Sequence, residues 1–227
     1  MSQIPDQTSA IPAHDRPGAA SPARMSKTQK LINFALWGVL GVVLLGMLVG
    51  KFMPAGHPPM KVLFHAAAFT LTDQDARPFS GADLRGKAYV CDFIFTTCGS
   101  ACPMMSHKLQ GIQTQTPAAL QLVSFTVNPE HDTPPVLKEY AVAYGADFSR
   151  WHFLTGTPAQ MSALVRGMNF AVTPATDHDP IGHSEKFLLI DGDGNVRGIY
   201  DSADGISMKD LIADATWLAT TPGGRGW

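Results

Sequence analysis

Cysteine is scarce in this chain, with three in 227 residues, too few for a disulfide scaffold, which needs several bridges in a shorter chain. Charge is sparse as well: Asp, Glu, Lys and Arg make up 16% of the residues and the formal net charge is −2. No basic run interleaves with aromatics, so a nucleic-acid partner has no support. Internal repeats are absent. What the chain does have is apolar material, 45% of its residues, enough for one well-packed globular unit plus extra segments. Two of the three cysteines lie four residues apart, which suggests one redox or metal site.

That pair organises the reading. Residues 90–105 are V-C-D-F-I-F-T-T-C-G-S-A-C-P-M-M. From Ala88 to Phe95 the run is nearly all apolar, β-branched or aromatic without alternation, as in a central strand covered on both faces. Pro103 fits the first position of a helix and biases the residue before it away from helical angles. Cys102 is therefore expected as the N-cap, with Cys98 in a tight loop made by Gly99, Ser100 and Ala101. Both thiols would face a helix N-terminus, whose partial positive charge favours the thiolate that a redox reaction or a soft metal needs. An inert structural disulfide is the plain alternative. Cys91, inside the strand and next to no helix end, reads as a small hydrophobe of the core.

Residues 1–30, rich in Pro, Ala, Ser and Gln, read as a disordered tail. Residues 31–50 carry no charge and match the roughly 20 apolar residues that cross a bilayer. Arg16, Arg24, Lys27 and Lys30 precede this stretch, against Lys51 and Lys61 after it, so the N-terminus is expected in the cytoplasm and the rest exported. The apolar run exceeds the core of a cleaved signal peptide, which favours an uncleaved anchor. Residues 51–60 read as a linker in which His57 and Met60 have no role, 61–221 as the globular domain, and 222–227 as a flexible tail. The first thirty residues are not Arg-rich, so a bacterial inner membrane with the domain in the periplasm is favoured over the mitochondrial inner membrane facing the intermembrane space.

Within the domain, residues 69–79 read as a hairpin around D-Q-D-A-R-P. After the strand and its helix come a strand at 120–127 and a turn at 128–133, with Thr133 as N-cap and Pro134 opening a helix. A strand at 151–154, a helix at 158–168, a hairpin around G-D-G at 185–200 and a helix at 206–218 follow. This order implies an α/β sheet with helices on both faces, and a site at the end of its first long strand.

Thiolates suit Cu(I), zinc or iron–sulfur clusters, and imidazole also suits copper and zinc. Two cysteines are an incomplete set for most of these, which directs attention to the eight histidines. His65, His131, His152 and His178 fall in or beside loops or edges, and His107 on the helix after the loop points away. His183, just before the strand at 187–190 and after a loop holding Pro174 and Pro180, is the candidate third donor. A single histidine there is also commonly a bystander.

F-I-F-T-T-C-G-S-A-C-P-M-M, V-N-P-E-H-D-T-P-P-V-L-K-E-Y-A, F-L-T-G-T and G-H-S-E-K-F-L-L-I-D-G-D-G, behind one apolar N-terminal stretch, closely resemble the Sco/SenC family over roughly residues 64–201. The resemblance implies a membrane-tethered, thioredoxin-like domain in which Cys98, Cys102 and His183 bind one copper ion, as Cu(I) or Cu(II). It also implies a role in assembling the copper centre of cytochrome c oxidase subunit II, by handing over copper, by reducing that subunit's cysteines, or both, with a copper donor or thiol reductant as further partner. The chain departs from the family pattern at Asn128 and His131, which commonly are Asp and Arg in a turn that reads as structural. It departs again at Gly182, where many members carry an Asp able to orient the histidine; Asp177 or Asp179 are possible substitutes. A thiol-disulfide oxidoreductase using Cys98 and Cys102 is the second reading. The extra residue between the cysteines and the Gly-His-Ser at the later strand favour metal. A thiol peroxidase and a plain anchored interaction domain rank below both.

Overall fold

The computed structural model describes residues 26–52, 57–169, 172–173, 182–183 and 185–224. The chain divides into two compact units, 1–55 and 56–227. The first contains helix α1 (Lys27–Phe52). Its 26 residues, at about 1.5 Å each, span about 39 Å, more than the ~30 Å hydrocarbon core of a bilayer. Phe34 and Trp37 are among the large apolar side chains exposed along it, and the helix is long and apolar enough to cross a membrane.

The second unit runs β1 (Phe64–His65), β2 (Thr70–Asp73), β3 (Pro78–Ser80), β4 (Tyr89–Ile94), α2 (Ala101–Gln115), β5 (Gln121–Thr126), α3 (Pro134–Ala143), β6 (Trp151–Thr155), α4 (Pro158–Gly167), β7 (Val172–Thr173), β8 (Gly182–His183), β9 (Lys186–Ile190), β10 (Asn195–Asp201) and α5 (Gly205–Thr220). Eight strands form one mixed sheet in the order β1-β10-β9-β4-β5-β6-β2-β3, and β7 pairs with β8 apart from it. The strands β4, β5 and β6 are parallel to one another because helices carry the chain back between them. β9 joins the other side of β4 antiparallel, from Tyr89↔Ile190 to Cys91↔Leu188.

Every residue of β4 and β5 is buried, as the unalternating apolar run predicts for strands covered twice. Val90, Ile94, Leu122, Trp151 and Phe153 pack on one face against Met105 and Leu109 of α2, Leu137 of α3 and Leu211 of α5. Cys91, Phe93, Val123 and Phe125 pack on the other against Met161 and Leu164 of α4. Cys91 is thus a core residue, as expected. The hairpin β2/β3 pairs Thr70↔Ser80, and β9/β10 turns at Gly194, whose φ of 87° lies in the region that glycine adopts without steric cost.

Three short features depart from the sequence reading. The two-residue strands β1, β7 and β8 are too brief to show a period. His57, expected in a linker, is docked on the domain: its ring stacks on Trp217 at 4.5 Å, and Nε2 lies 2.6 Å from Asp214 Oδ1. The first three residues of the expected tail are ordered, since Pro222–Gly224 form a 3-10 turn. Gly192 N–H donates to the Gly224 carbonyl at 2.9 Å, and glycines at both positions let the two backbones approach.

Candidate metal centre

The loop between β4 and α2 carries Cys98 and Cys102. Cys98 N–H donates to the Phe95 carbonyl at 3.2 Å, which closes a tight turn as the strand ends. Helix α2 begins at Ala101 with Ser100 as its N-cap, two residues earlier than Pro103 implies. The correction has a simple cause. The first turn of a helix has N–H groups without intrahelical acceptors, so a proline sits at its third position as comfortably as at its first. Cys102 is therefore inside the first turn rather than capping it.

The two sulfurs are each drawn toward a backbone donor. Cys102 N–H points at Cys98 Sγ and Phe95 N–H at Cys102 Sγ, each at 3.5 Å. Their surroundings differ: Cys102 is fully buried in the core beneath α2, while Cys98 is partly exposed and packs on that core from outside. No disulfide joins them. Burial pushes the Cys102 thiol well above its ordinary value, with the neighbouring Cys98 and the charge of Asp92 adding to the rise. The expected stabilisation of its thiolate by the helix end is overridden. A helix terminus contributes roughly 0.3–1 kcal/mol, whereas removing a charge from water costs several kcal/mol. A soft metal that replaces the proton on this sulfur releases it on binding.

His183 lies in β8, paired by its backbone with Val172, and three residues before β9. Because β9 runs antiparallel to β4, its first residue, Lys186, lies toward the C-terminal end of β4, where the cysteine loop starts. Asp177, Asp179, Pro174 and Pro180 lie outside the described residues. Among the described residues no three His, Cys, Asp or Glu side chains converge. Of the other histidines, His107 is exposed and edge-on to Tyr144. His152 is half-buried within β6 against Phe79, which lowers its pKa through desolvation, and His65 lies 3.2 Å from Asn195.

Two residues that the sequence reading passed over belong to this region. Asp132 is fully buried in the turn after β5. Its Oδ2 accepts from Thr96 N–H and Thr126 Oγ1, and its Oδ1 from Thr96 Oγ1 and faces His131 Nδ1 at 2.9 Å. The turn read as structural is thus tied directly to Thr96, two residues before Cys98. Asp92, in β4, is fully buried and neither of its oxygens completes a hydrogen bond among the described residues. Burial raises its pKa to about 7, with the Ser124 side chain across the β4–β5 ladder offsetting part of the effect. A lone carboxylate in an otherwise apolar strand was the available signal for Asp92. Asp132 had none, because its partners are distant in sequence.

A mixed sheet flanked by helices, with a cysteine pair where a central parallel strand enters the following helix, defines a thioredoxin-like domain. The comparisons narrow the class. The SCO1/SenC family model matches residues 61–220. The SCO1 protein homolog of Bacillus subtilis (strain 168) is 30% identical over 162 residues, covering 69% of this chain and 84% of the homolog. The structure of BsSco, a member of the Sco family of cytochrome c oxidase assembly proteins in which a disulfide switch was identified, aligns with TM-score 0.64 at 29% identity, over 72% of this chain and 99% of that one. Yeast Sco1 with copper bound aligns with TM-score 0.55 at 25% identity, over 66% and 87%. This chain belongs to the SCO1/SenC family.

Proposed function

We propose that the protein is a copper carrier that serves cytochrome c oxidase assembly, holding one copper ion through Cys98, Cys102 and His183 and delivering it to subunit II. The observation that carries the reading is the pairing of one accessible and one buried sulfur on a short loop at a strand-to-helix corner. Two soft sulfurs and an imidazole fit copper. The buried Cys102 fixes one ligand within the core, and the exposed Cys98 leaves a side open for exchange with a partner. Membership in a family that includes a copper-bound relative and an oxidase assembly protein supports the same reading. Residues 31–50 within helix α1 are the single membrane span in this proposal, residues 1–30 lie on the cytoplasmic side, and the domain from about residue 61 faces the bacterial periplasm, as the flanking charges favour.

Detergent-solubilised full-length protein, reduced and loaded anaerobically with Cu(I), is expected to retain one copper per chain. Cys98→Ala, Cys102→Ala and His183→Ala each lose it and Cys91→Ala does not. Equal loss from Cys91→Ala would sink the ligand assignment.

The same asymmetry favours a second reading, thiol-disulfide exchange. Cys98 as thiolate attacks a partner disulfide and releases one partner thiol. Cys102 then resolves the mixed disulfide, which leaves Cys98–Cys102 oxidised and the partner reduced by two electrons. Copper retention in the first experiment, set against rapid disulfide exchange without it, separates the two.

A further inference from the structure

The carboxylate of Asp132 has four acceptor positions, and the structure fills them. Thr96 N–H and Thr126 Oγ1 donate to Oδ2, Thr96 Oγ1 donates to Oδ1, and His131 Nδ1 lies 2.9 Å from the same Oδ1. A carboxylate accepts and does not donate, so the proton of the His131 ring belongs on Nδ1. Nε2 of the neutral ring then carries a lone pair. This nitrogen has no hydrogen-bond partner among the described residues, and the side chain is 51% exposed. The ring is also fixed in place, because Nδ1 lies 3.3 Å from Oγ1 of Thr96, two residues before Cys98. An imidazole whose one nitrogen is held by a carboxylate while the other is left without a partner among the described residues has the arrangement that orients metal-binding histidines and raises their basicity.

We propose that His131 Nε2 is an additional copper donor at the rim of the cysteine loop, through which the ion passes on its way to and from Cys98. The inference rests on the copper-carrier reading. Each step is a ligand exchange. On entry a copper–nitrogen bond to His131 forms as a bond to the donor's ligand breaks, and a copper–sulfur bond then forms as the copper–nitrogen bond breaks and the displaced thiol proton passes to solvent. On exit a copper–sulfur bond breaks as the bond to His131 forms, the sulfur regains a proton, and the bond to His131 breaks as one to an acceptor ligand forms. Copper keeps its oxidation state, and Nε2 gives up no proton because it carries none. The chemistry suits a transient ligand. A borderline imidazole holds Cu(I) less firmly than a pair of thiolates, so the ion proceeds to the sulfurs when they are vacant and leaves over the same nitrogen when a stronger acceptor waits outside. The exposure of His131 makes it reachable by a partner, which the buried Cys102 is not.

The test uses full-length protein in detergent, loaded with one Cu(I) per chain and mixed in a stopped-flow instrument with excess of a coloured Cu(I) chelator. His131→Gln keeps an amide next to Asp132 and removes the imidazole. The variant is expected to retain one copper per chain and to release it about 10-fold or more slowly than the wild type, with the rate restored by adding free imidazole. Imidazole rescue is the readout that a purely structural role would not move. Equal release rates in the two proteins, or slow release that imidazole leaves unchanged, overturn the inference while the copper-carrier reading stands. Wild-type protein that retains no copper overturns both.

Discussion

Replacing Asp92 by Asn should flatten the pH dependence of stability. The carboxyl is fully buried in β4 with its pKa raised from 3.8 to about 7, so forming its charge inside the fold costs on the order of 4 kcal/mol more than in the unfolded chain. An acid whose folded pKa lies above its unfolded value holds its proton more tightly in the native state. Its contribution to stability is therefore fully present below pH 3.8 and is lost as the pH rises through about 7. Between about pH 5 and pH 8 the wild type should lose roughly 2–3 kcal/mol that an Asn variant retains. The assay is urea unfolding of the full chain in detergent at a series of pH values, with wild type and Asp92→Asn compared at each. Contributions common to both proteins cancel in the difference. Parallel profiles from pH 5 to 8 would refute the reasoning and place the Asp92 carboxylate in contact with a compensating donor.

Asp132→Asn replaces an acceptor of four hydrogen bonds with a group whose NH2 faces donors. It should cost roughly 2–4 kcal/mol in the unfolding free energy, and a loss under about 0.5 kcal/mol, within the ordinary range of surface changes, would show that the turn does not anchor Thr96. Gly192→Ala would set a Cβ 2.1 Å from the Gly223 carbonyl oxygen and 2.9 Å from Gly86. Crowding of this kind typically costs about 1–3 kcal/mol, and an unchanged thermal midpoint would mean that residues 222–224 move aside freely. Iodoacetamide should modify Cys98 at least about 10-fold faster than Cys102 or Cys91, since a shielded thiol is a poor nucleophile; mass mapping that finds Cys102 alkylated first would reverse the assigned asymmetry.

The order of elements was readable because β4, β5 and the amphipathic helices carry strong local patterns. The unalternating run at Tyr89–Ile94 signalled burial on both faces, and the G-D-G turn marked the β9/β10 hairpin. The loop was readable in kind but not in detail. Pro103 indicates a helix start, yet its missing N–H is tolerated anywhere in the first turn, so the start fell at Ala101. The burial of Cys102 was also hidden, because periodicity names an element without saying how deeply its first turn sinks into the core. Asp132 joins Thr96 across 36 positions in sequence, and His57 joins Asp214 across 157. Contacts of that separation leave no mark on local composition.

The depth difference between the two sulfurs has a consequence that holds for both readings of the site. A partner, whether it brings copper or a disulfide, meets Cys98 first, because Cys102 has no exposed surface. The buried thiol is pushed well above its ordinary pKa, so at neutral pH it keeps its proton until something replaces it. A metal ion does so directly, and a mixed disulfide on Cys98 does so by becoming the target of attack. Cys98 thus sets access while Cys102 sets the driving force needed to complete the exchange. Disulfide exchange needs no nitrogen donor, whereas the carrier reading adds His183, proposed as a third ligand to the copper ion that the two sulfurs hold.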